Sequence, residues 1–160
     1  MPKATNQSLA RILRETAKFE LKQICLVEMH CKRGTLRQGE LPSEGTQGIQ
    51  FKIQIDSQGR VANVFADYNL VVAYQDRKEI EQPLHISAQY GLQYTWTAAR
   101  TNKNDLRKIV QRVAMLNSWP YWRELVQSTT VRMGLPAFPV PLINAARLGR
   151  ISDAPKYPSK

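Results

Sequence analysis

Between Leu84 and Trp96 the apolar or aromatic residues Leu84, Ile86, Ala88, Tyr90, Leu92, Tyr94 and Trp96 alternate with His85, Ser87, Gln89, Gln93 and Thr95. A side-chain period of two sustained this long belongs to a β-strand with one face in a core and the other in water. This segment excludes an all-helical fold, and it obliges the chain to supply partner strands and a layer that covers the apolar face. The strands come first. Ile49, Phe51, Ile53 and Ile55 alternate with Gln50, Lys52, Gln54 and Asp56, and Ser57-Gln58-Gly59 provides a hairpin turn. Val64, Ala66, Tyr68, Leu70, Val72 and Tyr74 then share a face, ended by the charged turn Asp76 to Glu81. Past Phe19, strict alternation puts Ile24, Leu26, Glu28 and His30 on one side and Cys25, Val27, Met29 and Cys31 on the other. Four such strands joined in sequence predict an antiparallel meander. Gly34–Gly48, with four glycines, Pro42 and few apolar anchors besides Leu36 and Leu41, reads as a mobile connection.

After the last strand the period changes. Leu106, Ile109, Val110 and Val113 fall at helical spacing, and Trp122, Leu125, Val126, Thr129 and Met133 continue it. Strands first and helix afterwards define an α+β chain. Pro120 disfavours helical geometry at Trp119, so a break or kink is predicted there, with Asn117 and Ser118 as caps. Gly134 ends the helix as a C′ glycine. Pro136, Pro139 and Pro141 then impose an extended path, and Val140–Leu148 is predicted to form a short C-terminal helix. Pro136 and Pro139 have the P-x-x-P spacing of a polyproline ligand, but the interleaved Phe138, Val140 and Leu142 point to packing against the fold. At the other end, Leu9, Ile12, Leu13 and Ala17 recur among basic residues from Ser8 onward and predict an extra N-terminal helix. The expected organisation is one domain over 1–150, with a disordered basic tail at 151–160.

With 160 residues, 42% of them hydrophobic, such a domain can bury a core without disulfide or metal staples. Cys25 and Cys31, six apart and so on one face of an unbroken strand, would lie about 20 Å from each other, beyond disulfide reach. They read as small buried hydrophobes in a reducing compartment. The absence of a long apolar run and of a signal-peptide pattern gives a cytoplasmic expectation. The net charge is +10, and both ends are basic: residues 82–160 hold eleven basic against three acidic side chains. The densest run, Arg100, Lys103, Arg107, Lys108 and Arg112, would attract acidic partners. No aromatic residues interleave with it as on a single-strand stacking platform, so a basic nucleic-acid-binding module stands as the alternative reading. No catalytic constellation is visible. His30 and His85 lack a neighbouring cysteine or carboxylate at ligand spacing, and the glycines of 34–48 match no phosphate-binding fingerprint. The chain is therefore read as a binding protein, with no catalytic, cofactor or metal residues.

At Trp119-Pro120-Tyr121-Trp122-Arg123-Glu124, followed by Gly134-Leu135-Pro136-Ala137-Phe138-Pro139-Val140-Pro141-Leu142, the sequence resembles the SecB family of protein-export chaperones. Members carry an aromatic or aliphatic residue, Pro-Tyr, one variable residue and Arg-Glu at the start of a long helix, with a proline-rich apolar segment after it. Pro120, Tyr121, Arg123 and Glu124 fill those positions. The resemblance implies a homotetramer, a dimer of dimers assembled through the long helix, that holds unfolded polypeptide in apolar grooves without ATP. Leu36, Leu41, Phe138, Val140, Leu142 and Ile143 are the candidate client-binding residues. Two departures refine the expectation. Export members present an acidic surface to the translocase ATPase, whereas this chain is at +10, which argues against delivery to that ATPase. The predicted helix at Ser8–Ala17 is similar to the extra helix of SecB-like chaperones that accompany toxin–antitoxin systems. An antitoxin client is therefore preferred over preproteins for export.

Overall fold

A computed structural model describes residues 19–34, 42–56, 60–74, 84–96 and 103–143. The elements are β1 (Phe19–Lys32), β2 (Pro42–Ile55), β3 (Val61–Tyr74), β4 (Leu84–Trp96) and one helix, α1 (Lys103–Arg132). The strands form a single antiparallel sheet in the order β1-β4-β3-β2. The architecture is α+β.

Only β2, β3 and β4 run as the expected meander. β1 lies beside β4, at the opposite edge from β2, so the order is that of a Greek key. The reason is pairing: the alternating pattern of β4 needs a ladder on both flanks, and β3 occupies only one of them. The expected loop at 34–48 is also corrected, because β2 already begins at Pro42 and pairs with β3 from Tyr74 onward. A proline is tolerated at the first residue of an edge strand. Gly45 inside that strand has a packing reason: a β-carbon there would lie 2.6 Å from the Cζ of Phe138. The β2–β3 hairpin is closed by Asp56, whose Oδ1 accepts the backbone N–H groups of Arg60 at 2.6 Å and Val61 at 3.0 Å.

β1 departs from strict alternation. Register shifts between Leu21 and Gln23 and between Leu26 and Glu28 each move the following residues to the other face. Directly opposed residues share a face. Phe19, Leu21, Ile24, Leu26, Met29 and Cys31 oppose the core residues Trp96, Tyr94, Leu92, Tyr90, Ala88 and Ile86, and so line the helix side together. Cys25 instead opposes Gly91 on the outer side. The two cysteines thus sit on opposite faces rather than on one, and Cys25 is exposed rather than buried.

The core is the even-numbered face of β3 and β4, from Ala62 to Val72 and from Leu84 to Trp96, closed by Leu106, Val110, Val113, Trp119, Trp122 and Val126 of α1. Tyr68 lies at its centre, stacked on Trp122 with 5.2 Å between ring centroids and an interplanar angle of 20°. α1 runs through Pro120 without ending, so the expected division into two helices is absent. The Pro-Tyr-x-Arg-Glu motif lies past the middle of α1 rather than at its start. A proline inside a helix costs about 3 kcal/mol, and burial of the flanking Trp119 and Trp122 offsets that cost. Asn117 and Ser118 are not caps but ties to the sheet. The Asn117 amide donates to the Tyr94 hydroxyl at 3.0 Å, and the Ser118 and Tyr68 hydroxyls are 2.6 Å apart in the core.

The C-terminal end follows expectation. Gly134, at φ 72°, is the C′ residue of a Schellman motif: its N–H reaches the Val131 carbonyl at 2.9 Å, and Leu135 N–H reaches Thr130 at 3.0 Å. Residues 136–143 are extended rather than helical. The expected N-terminal helix at Ser8–Ala17, the remainder of the expected C-terminal helix and the tail 151–160 lie outside the described residues.

Candidate functional site

The extended segment 135–143, hereafter the strap, turns back along α1 and is fastened by side chains of the helix. The Phe138 N–H donates to Thr130 Oγ1 at 3.2 Å, Arg123 Nε donates to the Val140 carbonyl at 2.8 Å, and Trp119 Nε1 donates to the Pro141 carbonyl at 3.0 Å. Thr130 can do this because its own hydroxyl proton goes to the Val126 carbonyl at 3.0 Å. Proline supplies no N–H, and of the three bonds two use carbonyls and one uses the N–H of a non-proline residue. Among the candidate client-binding residues, Val140 is buried, Phe138 and Ile143 are half-buried, and Leu142 is exposed. Leu36 and Leu41 lie outside the described residues. Of the motif residues, Arg123 holds the strap. Tyr121 is half exposed, with its ring 6.4 Å from Tyr90, and Pro120 and Glu124 face solvent.

A second apolar surface lies on β1 and was missed in the sequence. A helix is about 10 Å wide and strands are about 4.8 Å apart, so one helix covers about two strands of a four-stranded sheet. α1 and the strap cover β4, β3 and β2, since Trp122 stacks on Tyr68 of β3 and Phe138 rests over Gly45 of β2. β1 is left over. Leu21, Leu26 and Met29 stand on the helix side yet are 37%, 47% and 45% exposed. Besides its ladder with β4, the strand is held by Phe19, Ile24 and Cys31, which pack half-buried against the core, and by contacts at its two ends. Phe19 meets Tyr94 and Trp96 at ring distances of 6.5 and 5.1 Å, and Arg33 donates to the Met133 carbonyl at the end of α1. The available signal was the count of one long helix against four strands.

The outer face of the sheet is mixed, with Cys25, Val27 and Phe65 gathered around Gly91 and polar pairs along β3 and β4. Gln93 donates to Asn63 at 3.1 Å, Gln89 donates to Asp67 at 2.6 Å, and His85 bonds Asn69 at 2.9 Å. Glu28, His30, Gly48, Gln50 and Ser87 line an open hollow of about 390 Å³ beside them. Of the basic run, Arg107 and Lys108 are exposed on α1 and Arg112 is half-buried, while Arg100 lies outside the described residues. Among the described residues no three His, Cys, Asp or Glu side chains come together to hold a metal. No helix among them is long and apolar enough to cross a membrane.

The tyrosines under α1 give the site a pH limit. Burial pushes the Tyr90 phenol up to about 12, with the Glu124 carboxylate adding to it, and burial pushes Tyr94 up to about 12 as well. Tyr68 moves up further for the same reason. In the unfolded chain these groups ionise near pH 10, so above that pH the native state holds more protons and stability falls as pH rises. The contribution is fully present below about pH 10. Melting temperature should therefore drop steeply above that pH, with Tyr68, Tyr90 and Tyr94 resisting ionisation in ultraviolet absorbance until the chain unfolds. Complete tyrosine ionisation in a chain that stays folded would contradict this placement.

No protein-family model matches the chain, and no curated protein matches it. Solved structures do. A SecB-like chaperone from Mycobacterium tuberculosis, in complex with a ChAD peptide from the HigA1 antitoxin, is 15% identical and superposes with a TM-score of 0.62 over 84% of this chain and 97% of that one. A protein of unknown function from Streptococcus agalactiae, 12% identical, matches with a TM-score of 0.47 over 78% of this chain and 97% of that one. At the first of these scores, over nearly the whole length of the other chain, the chain has the fold of a SecB-like chaperone.

Proposed function

We propose that the chain is an ATP-independent holdase that binds unfolded or aggregation-prone polypeptide and catalyses no reaction. The observation that carries this reading is a SecB-like fold whose own helix leaves apolar surface uncovered. A chaperone of this kind must present such surface on a scaffold that does not collapse around it. The client is an antitoxin, with preproteins for export as the other candidate. The SecB-like chaperone of similar fold holds an antitoxin peptide, which supports a polypeptide client here. The +10 charge suits an acidic client segment and disfavours the translocase ATPase as partner. Client contacts are assigned to Leu36, Leu41, Phe138, Val140, Leu142 and Ile143, and the place of action to the cytoplasm.

The working assembly is a homotetramer, a dimer of dimers, which needs two kinds of interface. One is α1 with its motif residues Pro120, Tyr121, Arg123 and Glu124. The other is the β1 edge, a long strand whose outer backbone groups and apolar side chains would otherwise template aggregation. The exposed Arg107 and Lys108 favour a basic nucleic-acid-binding module as the second reading.

Light scattering from a chemically unfolded test protein, diluted with and without the chain at low and high salt and without nucleotide, separates the two. Suppression of scattering should survive high salt, because apolar contacts are little screened. Absence of suppression at both salts would overturn the general-holdase reading. Tight nucleic-acid binding, with an affinity that falls linearly with salt on logarithmic axes, would favour the second.

A further inference from the structure

We infer that β1 pairs along its free edge with β1 of a second copy in one register, with Cys25 on the two-fold axis. A thiol–disulfide oxidant then locks the pair covalently through the two Cys25 thiols. The inference rests on the reading of β1 as an assembly edge and adds the register and its redox control. Its basis is the pair of bulges. Opposed residues in a sheet share a face, so a strand that pairs with its own reversal must show the same order of faces from either end. Strict alternation has that property about every residue, but β1, with an extra residue at Lys22 and another at Val27, does not. Phe19, Leu21, Ile24, Leu26, Met29 and Cys31 lie on the helix side. Glu20, Gln23, Cys25, Glu28 and His30 lie on the outer side. Lys22 joins them there, its ammonium paired with the Glu20 carboxylate, and so does Val27, whose Cγ2 is 3.1 Å from the β-carbon position of Gly91. The order of faces from Phe19 to Cys31 is therefore a palindrome about Cys25. Moving the axis by one residue sets Lys22 against Leu26 or Ile24 against Glu28.

The chemistry agrees with the faces. About Cys25, the exposed Leu21 meets the partner's Met29, and the exposed Leu26 meets the partner's Ile24. Lys22 meets the carboxylate of the partner's Glu28, and Glu20 meets the partner's His30. Cys25 meets its own copy. Opposed α-carbons in an antiparallel pair are about 4.5–5.5 Å apart, inside the ~4.4–6.8 Å that a disulfide needs. Cys25 is exposed, on the side that α1 leaves open, so an oxidant in solution reaches both thiols. One Cys25 thiolate attacks a small disulfide such as oxidised glutathione and expels one of its thiols. The second Cys25 thiolate displaces the other, which leaves one new S–S bond and two reduced glutathione molecules carrying the two protons.

The test treats the full chain with oxidised glutathione and reads it on non-reducing gels and by sedimentation. The parent should give a covalent dimer that dithiothreitol reverses. Cys31→Ser should keep that dimer, and Cys25→Ser should abolish it while the chains remain associated. Leu26→Lys with Met29→Lys should slow cross-linking by about tenfold or more, because weaker pairing brings the thiols together less often. With Cys25→Ser and Cys31→Ser in place, a Lys22→Cys chain mixed with a Glu28→Cys chain should cross-link, and neither should do so alone. An associated parent with no Cys25 link, and no link in that mixture, would overturn the register and leave assembly through β1 standing. Equal cross-linking in the parent and the lysine variant would mean collision of exposed thiols and would also overturn it. A parent of one chain's mass that still links through Cys25, and loses the link with the lysine pair, would keep the register and sink the tetramer.

Discussion

Trp122→Ala is expected to lower the free energy of unfolding by about 3–5 kcal/mol, the range for removing a fully buried aromatic side chain. Trp122 is 0% exposed and is among the largest fully buried side chains of the protein. It also joins the two layers. Its ring stacks on Tyr68, which meets Trp119 at 6.0 Å and Tyr90 at 5.9 Å, so one truncation leaves a void beneath α1 that several rigid rings cannot close. A domain of this size has about 5–15 kcal/mol of stability in all, and the variant should be largely unfolded under mild denaturant. Tyr68→Phe is the comparison, since it keeps the ring and removes only the hydroxyl paired with Ser118. It should cost about 0.5–1.5 kcal/mol, the net contribution of one hydrogen bond, because the Ser118 hydroxyl keeps its bond to the Ala114 carbonyl. Urea titrations followed by circular dichroism give both values. A loss below about 1 kcal/mol for Trp122→Ala, less than the range for deleting a buried aromatic, would mean that α1 is not seated on the sheet through this residue.

The same contacts show what was legible in the sequence. Alternation in β3 and β4 marked every core position on those strands except Ala62, because burial on one face leaves no other arrangement of apolar residues. The start of β2 was hidden by Gly45 and Gly48, which signal a turn when read locally. Gly45 is needed because a ring from a segment more than ninety residues away in sequence rests on it. The bulges of β1 leave no mark on residue type, since inserting a residue into a ladder is decided by the partner strand. At Pro120 local sterics argue for a break, and tertiary burial of its neighbours outweighs them. The strap was visible as prolines among hydrophobic residues. Its fastening was not, because the acceptors at Val140 and Pro141 are carbonyls that every residue carries.

The β1 edge yields the other large effect. Leu26→Lys with Met29→Lys should leave the protomer folded and break its assembly. Both side chains are about half exposed in the single chain, at 47% and 45%, so each change should alter protomer stability by about 0.5 kcal/mol or less. In a two-fold interface each substitution appears twice, and the two copies face the same self-complementary surface. Burying unpaired ammonium groups there costs several kcal/mol, and each ~1.4 kcal/mol is a factor of ten in the association constant. Association should weaken by about a hundredfold or more, enough to convert the assembly to smaller species at micromolar concentration. Sedimentation or multi-angle scattering reads the mass, and circular dichroism confirms the fold in the same samples. The parent should have the mass of four chains and the variant that of a smaller species that is still folded, with a melting temperature lowered only by what association contributed. An unchanged mass in the folded variant would remove the β1 edge from the assembly and leave its apolar side chains to the client. A parent of one chain's mass would instead overturn the tetramer, and then an isolated edge strand of this length and apolarity should make the protein aggregate on concentration.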